Sequence, residues 1–237
     1  MSRKPSAEAI TWPDLAALVF DFDRTLVPLG NFVRWRVAAG EMRARYLAAG
    51  IREEVLAGAP RGCFGLYRHV ALSRALAPAD LARVQEEASA TLARFEEEAI
   101  ERAELYAGAE SLLYDLPRLG LRAAIVSSNP AHVIRAILAR LGVAGCFAAI
   151  VGRDGLADLK PAPDGMLRAC AELGLTADRC LAIGDNAGDV AAALAAGMPA
   201  VGVASGVSSR DELLAAGARV VFGDVQELGD RLRAERA

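Results

Sequence analysis

The sequence predicts an α/β fold, a Rossmann-like parallel sheet core with an inserted α-helical cap domain. Three observations predict it. Short apolar runs alternate with amphipathic helical stretches over most of the 237 residues, the pattern of repeated βαβ units. One long stretch, residues 29–106, has helical periodicity and no convincing strand. Finally, four short segments rich in chemistry each fall where an apolar run meets a loop or a helix start: Asp21-Phe22-Asp23, Ser127, Lys160-Pro161 and Gly184-Asp185-Asn186-Ala187-Gly188-Asp189. A parallel sheet gathers such points in the crevice beyond the carboxyl ends of its strands. Four carboxylates, one hydroxyl and one ammonium then share a pocket suited to Mg²⁺ and a phosphoryl group.

Taken in order, strands are expected near 17–21, 121–126, 147–151, 180–183, 200–203 and 219–222. Helices are expected at 109–119, 131–141, 163–173, 188–196, 209–216 and 225–233. Glycines such as Gly174 stand just past the helical runs, where a left-handed cap belongs, and Ser208-Ser209-Arg210-Asp211-Glu212 reads as a helix start. The helical insertion divides into 32–50, 51–57, 64–76 and 78–103, with hinges at 28–30 and 107–108. Residues 1–28 and 107–237 are thus assigned to the core and 29–106 to the cap, whose opening and closing would gate the site. The run Glu96-Glu97-Glu98 reads as a solvated helix face.

Composition narrows the function. An apolar fraction of 54% with only 5% aromatics reflects abundant alanine, which favours helices packed closely on a sheet. No run reaches the roughly 18 unbroken apolar residues a membrane span needs, and Met1-Ser2-Arg3-Lys4-Pro5 does not lead into the apolar core of a signal peptide. A net charge of −3 without a basic stretch offers nothing to nucleic acid. Cys63, Cys146, Cys170 and Cys180 lack metal-type spacing and read as free thiols of a cytoplasmic protein. Against 25 arginines there are two lysines, Lys4 in the tail and Lys160. A lone internal lysine in so arginine-rich a chain points to a site that wants a compact point charge.

In a strand, positions i and i+2 face the same side, so Asp21 and Asp23 are expected to leave the sheet together. Two adjacent carboxylates repel unless a cation intervenes, which leaves one free to act as nucleophile and the other to carry a proton. Asp185 falls on a tight strand-to-helix turn and Asp189 in the first helical turn, where it would also complement the helix dipole. Ser127 ends an apolar run, followed by Ser128, Asn129 and Pro130; the hydroxyl and free amides there can hold phosphate oxygens, while Ser128 or Asn129 can also cap the next helix. Pro161 and Pro163 stiffen the backbone that holds Lys160 over the pocket.

Together, D-x-D-x-T, an apolar run ending in Ser, K-P-x-P and G-D-x-x-x-D resemble the haloacid dehalogenase superfamily of phosphohydrolases, from Ala17 to about Leu228. The helical insertion after the first motif resembles the α-helical-cap type, which includes phosphoglycolate phosphatases and β-phosphoglucomutases. The resemblance implies that Asp21 attacks phosphorus to form an aspartyl-phosphate. Asp23 would serve as general acid and base, and Ser127, Ser128 and Lys160 would hold the phosphoryl oxygens. It implies Mg²⁺ held by the Asp21 carboxylate, the Asp23 backbone carbonyl and Asp185, with Asp189 supporting them. Arg24 departs from a position that is often glycine in this family; it either faces solvent or narrows the mouth of the site.

The Gly58-Ala59-Pro60-Arg61-Gly62 turn is similar in placement to the family's specificity loop, which makes Arg61 the substrate-binding residue expected from the cap. His69 reads as a surface or interhelix residue, and His132, just past Ser127, carries no assigned role. A cap without lysine disfavours phosphonate cleavage by Schiff base, and Asp23 disfavours dehalogenation. The expected activity is hydrolysis of a small phosphorylated metabolite, phosphoglycolate-like or sugar-phosphate-like, by a monomer or homodimer. A phosphomutase and a non-catalytic binding protein on the same fold stand as alternatives. A signalling receiver would be about half this length, with adjacent acidic residues and no inserted cap.

Overall fold

The computed structural model describes residues 10–236; Lys4 and the Met1–Pro5 stretch lie outside them. The described chain forms two compact units, one of residues up to Pro28 together with Glu104 onward, the other Leu29–Ala103.

The first unit is a six-stranded parallel sheet: β1 (Ala17–Phe20), β2 (Arg122–Val126), β3 (Phe147–Val151), β4 (Cys180–Gly184), β5 (Ala200–Val203) and β6 (Val221–Phe222). The order β3-β2-β1-β4-β5-β6 reverses between β1 and β4, and Phe20 stands opposite Ile183 across that junction. Connecting helices are α5 (Ala109–Asp115), α6 (Ala131–Arg140), α7 (Asp164–Leu173), α8 (Ala187–Ala195), α9 (Arg210–Ala215) and α10 (Val225–Glu235), numbered after four in the other unit.

Strand residues are small on one face: Ala17, Val19, Ala124, Ala149, Ala182 and Ala200 share a core with Met166, Ala169 and Leu173 of α7 and Val190 and Ala193 of α8. Short side chains let the helices approach closely, and alternation sends Leu18, Phe20, Leu181 and Ile183 to the opposite side, also buried. Helix α5 stops at Asp115, short of the expected 119; Leu116 is still helical (φ −52°, ψ −44°), but Pro117 has no N–H to donate to the carbonyl four residues back. Gly174, at φ +63°, closes α7 in the left-handed conformation. Ser209 and Glu212 cap α9 reciprocally. Near the C-terminus the Arg236 guanidinium donates to the carbonyls of Trp12 (2.7 Å), Leu15 (2.5 Å) and Leu119 (2.5 Å), clasping the approach to β1.

The second unit is helical, with α1 (Trp35–Ala48), α2 (Glu53–Ala57), α3 (Cys63–Leu72) and α4 (Pro78–Glu97). Helix α3 ends before the expected residue 76 because Arg74 turns left-handed at φ +50°. Helix α4 gives way to a tighter 3-10 turn at Ile100–Arg102, where the Arg102 guanidinium donates to the Phe32 carbonyl (2.8 Å) and lies over its ring. The acidic run corrects the expectation of a wholly solvated face. Glu97 and Glu98 are exposed, but Glu96 is fully buried. It follows Val84, Ala88 and Leu92 at steps of four, on the buried stripe of α4. His69 is an interhelix residue, its Nε2 lying 2.9 Å from the Val55 carbonyl.

No described helix is long and apolar enough to cross a membrane. The four cysteines are free thiols; burial pushes the Cys180 thiol up to about 12, which keeps it protonated.

Candidate active site

The carboxyl ends of β1 and β4 lie side by side at the point where strand order reverses, and the chain's acidic residues meet there. Asp21 follows β1, and its N–H donates to the Ile183 carbonyl (2.8 Å), which continues the ladder one residue beyond the strand. Asp185 follows β4, and Asp189 enters from the first turn of α8. One carboxylate oxygen from each of the three lies within 4.8 Å of the others, and all three residues are buried.

Lys160 binds this cluster together. Its Nζ donates to Asp21 Oδ1 (2.5 Å) and to the Val126 carbonyl at the end of β2 (3.0 Å), and pairs with Asp189 Oδ1 (2.6 Å). An ammonium has three donors, and all three are engaged. Burial pushes the Asp21 carboxyl up; Lys160 opposes this, and the charges of Asp189 and Asp185 add to it. Burial, reinforced by Asp189, pushes Asp185 up to about 6 against the Val207 N–H bond. For Lys160, burial lowers the pKa, but Asp189 and Asp21 overcome that and hold the ammonium charged.

One ammonium cannot neutralise three buried carboxylates. An all-oxygen donor set with a surplus of negative charge fits a hard divalent cation such as Mg²⁺. The capping box of α8 leaves Asp189 doubly committed: Oδ2 accepts from the Asn186 N–H (3.1 Å) while Oδ1 faces Lys160. Asp189 therefore caps the helix and orients the ammonium at once.

Asp23 is not one of the three carboxylates within 4.8 Å of one another, but its charge reaches Asp185 and helps to raise that carboxyl. β1 ends at Phe20, and Asp21 continues its ladder by one residue. The chain turns into a short flap where Asp23 bridges Val27, and Asp23 is half-buried. Arg24 sits in this flap at φ +64°, the conformation that favours glycine, with its N–H donating to the Val27 carbonyl (2.6 Å) and its side chain half-buried. Tyr106 is near: its N–H donates to the Leu26 carbonyl (2.9 Å), and burial and the Asp23 charge raise its phenol.

Ser127 is buried after β2. Its hydroxyl donates to Asn129 Oδ1 (2.9 Å) and accepts from the Asn129 N–H (3.2 Å). Pro130 takes the cap position of α6 in an extended conformation, and the Ala131 N–H donates to Asp154 Oδ1 (2.6 Å). The half-buried Ser128 accepts at its carbonyl from the buried Arg153 guanidinium (3.0 Å). Arg61 belongs to the helical unit, exposed beside a cavity of about 330 Å³ that Arg43, Leu56 and Pro60 also line.

Several residues around the cluster had no role in the site assigned from the sequence. Thr25, fully buried, donates to Asp185 Oδ1 (3.3 Å) and is the final residue of D-x-D-x-T. Asn129 and Ser208 were read only as cap or helix-start residues, and the fold brings them, with Arg153 and the rest of the 205–208 loop, to the motifs.

A doubly wound parallel sheet whose reversal point holds a buried carboxylate–ammonium cluster defines an α/β protein with three aspartates that could hold a metal ion. The residue pattern of the haloacid dehalogenase-like hydrolases matches residues 15–197. Phosphoglycolate phosphatase of Rhodospirillum rubrum is 34% identical over 220 residues, 91% of this chain and 90% of that protein. Phosphoglycolate phosphatase of Colwellia psychrerythraea is 35% identical over 127 residues, 50% of this chain and 56% of that one. Among solved structures, a hydrolase from Pseudomonas syringae superposes with a TM-score of 0.67 at 25% identity, covering 92% of this chain and 98% of its own. CbbY from Rhodobacter sphaeroides, in complex with phosphate, gives a TM-score of 0.63 at 23% identity over 91% of this chain and 96% of its own, a likeness of fold. The chain belongs to the haloacid dehalogenase-like hydrolases and is a phosphatase of that family.

Proposed function

We propose that the protein is a Mg²⁺-dependent phosphatase of a small phosphorylated metabolite, phosphoglycolate-like or sugar-phosphate-like, acting through an aspartyl-phosphate on Asp21. The observation that carries this reading is the buried Lys160 ammonium held between Asp21 and Asp189 at the sheet's carboxyl edge. The name borne by the Rhodospirillum rubrum relative supports the substrate class.

Asp21, Asp185 and the Asp23 backbone carbonyl would hold Mg²⁺, with Asp189 in support. When bound, the ion offsets the cluster's negative charge and polarises a phosphoryl oxygen. The Asp21 carboxylate attacks phosphorus, and the P–O bond to the leaving group breaks. Asp23 gives its proton to the departing oxygen. It then takes one from the water that attacks the aspartyl-phosphate, which restores Asp21 and releases inorganic phosphate. Ser127 turns its hydroxyl from Asn129 to a phosphoryl oxygen, Ser128 offers its amide, and Lys160 spreads positive charge over the transferring group. Phosphoryl transfer depends mainly on such positioning and electrostatic stabilisation. Arg61, on the turn similar in placement to the family's specificity loop, is the substrate-binding residue proposed for the helical unit.

Phosphate release from a panel of phosphorylated metabolites, with Mg²⁺ and with a chelator, tests this reading. Release that needs the metal and is fastest on small phosphorylated acids or sugars supports it. Isomerised product without inorganic phosphate would transfer the reading to a phosphomutase, and no reaction by folded protein would reject it.

Acidity should act through Asp185. A carboxylate raised to about 6 takes up a proton as the pH falls through that value, and the protonated form is a poor ligand. Mg²⁺ affinity is therefore expected to be level above about pH 7 and about tenfold weaker near pH 5, as read by calorimetry. An affinity that does not change over this range would contradict Asp185 as a ligand.

A further inference from the structure

The loop after β5 grips the site from outside the motifs. The Val207 N–H donates to Asp185 Oδ2 (2.8 Å), and the Ser208 N–H donates to the Asp185 carbonyl (3.1 Å). Ser208 Oγ accepts from the Ala187 N–H (3.1 Å), which fixes the turn that carries Asp185 into α8. Ser205 Oγ donates to the Arg24 carbonyl (2.6 Å) and so ties the flap to the same loop. Between these contacts Gly206 passes so close that a Cβ there would lie 1.8 Å from Asp185 Oδ2 and 2.3 Å from its Cγ.

Each contact acts on orientation. Asp185 has its Oδ2 committed to the loop and its Oδ1 receiving the longer Thr25 bond (3.3 Å), so the loop decides where the carboxylate points. Val207 is 64% exposed and contributes only its backbone, and Gly206 contributes the absence of a side chain.

We propose that Ser205–Ser208 is a positioning element of the active site: Gly206 and Ser208 set the orientation of the Asp185 carboxylate and thereby the affinity for the divalent cation. This rests on the reading of Asp185 as a metal ligand. Groups that orient metal ligands without touching the metal commonly change affinity by about 10–100-fold when replaced. No side chain at 206 fits without displacing the Asp185 carboxylate, so Gly206→Ala moves a ligand while leaving every ligating residue in the chain. Ser208→Ala removes the acceptor for the Ala187 N–H, and Ser208→Thr retains it.

The test is calorimetric titration of metal-stripped protein with MgCl₂, for wild type, Asp185→Asn, Gly206→Ala, Ser208→Ala and Ser208→Thr, beside thermal unfolding of each in chelator. The expected result is Mg²⁺ binding by wild type, its loss in Asp185→Asn, and at least about tenfold weaker binding by Gly206→Ala. Ser208→Ala should weaken binding in the same direction, Ser208→Thr should restore it, and unfolding temperatures in chelator should stay at the wild-type value. If Asp185→Asn binds as wild type does, the metal-site reading falls and this inference with it. If Asp185→Asn loses binding while Gly206→Ala and Ser208→Ala retain it, the positioning role alone is overturned. Affinity that falls only in step with the unfolding temperature in chelator would reduce the loop to a structural part and also overturn it. Should Gly206→Ala fail to fold, the Ser208 pair decides.

Discussion

Asp21→Asn is expected to reduce phosphate release on the order of 10⁴-fold or more, the scale seen when a covalent nucleophile is removed. The substitution is nearly isosteric, and the amide can still accept from Lys160 Nζ, now 2.5 Å from Asp21 Oδ1, so the fold should survive. What disappears is the anionic oxygen that attacks phosphorus. Burial raises the Asp21 carboxyl, and a neutral side chain at this position removes repulsion from Asp189 and Asp185. The variant should therefore unfold no earlier than wild type in chelator. Phosphate release measured on the best substrate of the panel, with unfolding measured alongside, checks both halves. Equal release by the two proteins would remove Asp21 from the chemistry.

Lys160→Met is expected to act on stability as well as turnover. It leaves Asp21, Asp185 and Asp189 buried together without their ammonium, and breaking a buried pair from one side costs about 3–5 kcal/mol. Lys160 and its two partners have side chains less than a tenth exposed, so solvent screening relieves little of this. Because a divalent cation supplies charge to the same carboxylates, Mg²⁺ should restore part of the loss. Urea unfolding of wild type and variant, each in chelator and in excess Mg²⁺, gives the four values needed. A variant as stable as wild type in chelator would mean that the carboxylates take up protons and do without the ammonium. A deficit equally large with and without Mg²⁺ would place the cation elsewhere.

Most of the fold is legible along the chain because its signals are local. The strands read at 17–21, 121–126 and 180–183 match β1, β2 and β4 to within a residue, and the glycine after α7 and the Ser209–Glu212 pair announce helix ends through contacts within four residues. Carboxylates and a lone lysine at strand ends are legible for the same reason. The departures arise where distant segments compete with local preference. Glu96 is acidic but lies on the buried stripe of α4, and Arg102 tightens the turn after that helix by docking on Phe32. Pro130 occupies the α6 cap position, and Asp154, 24 positions along the chain, accepts from the first helical N–H, a contact no local pattern announces.

By itself, then, the sequence determined the residue types of the site and the ends of the strands that carry them. A parallel sheet must place those ends at one edge, and chemistry written in side chains is visible one residue at a time. Only the tertiary structure decided which of those groups meet. It drew Asp189 and Lys160 onto Asp21, left Asp23 in the flap, and folded the 205–208 loop over Asp185. The physical reason is that this last layer works through backbone N–H groups, a missing Cβ at Gly206 and strand order, none of which has a side-chain signature to read.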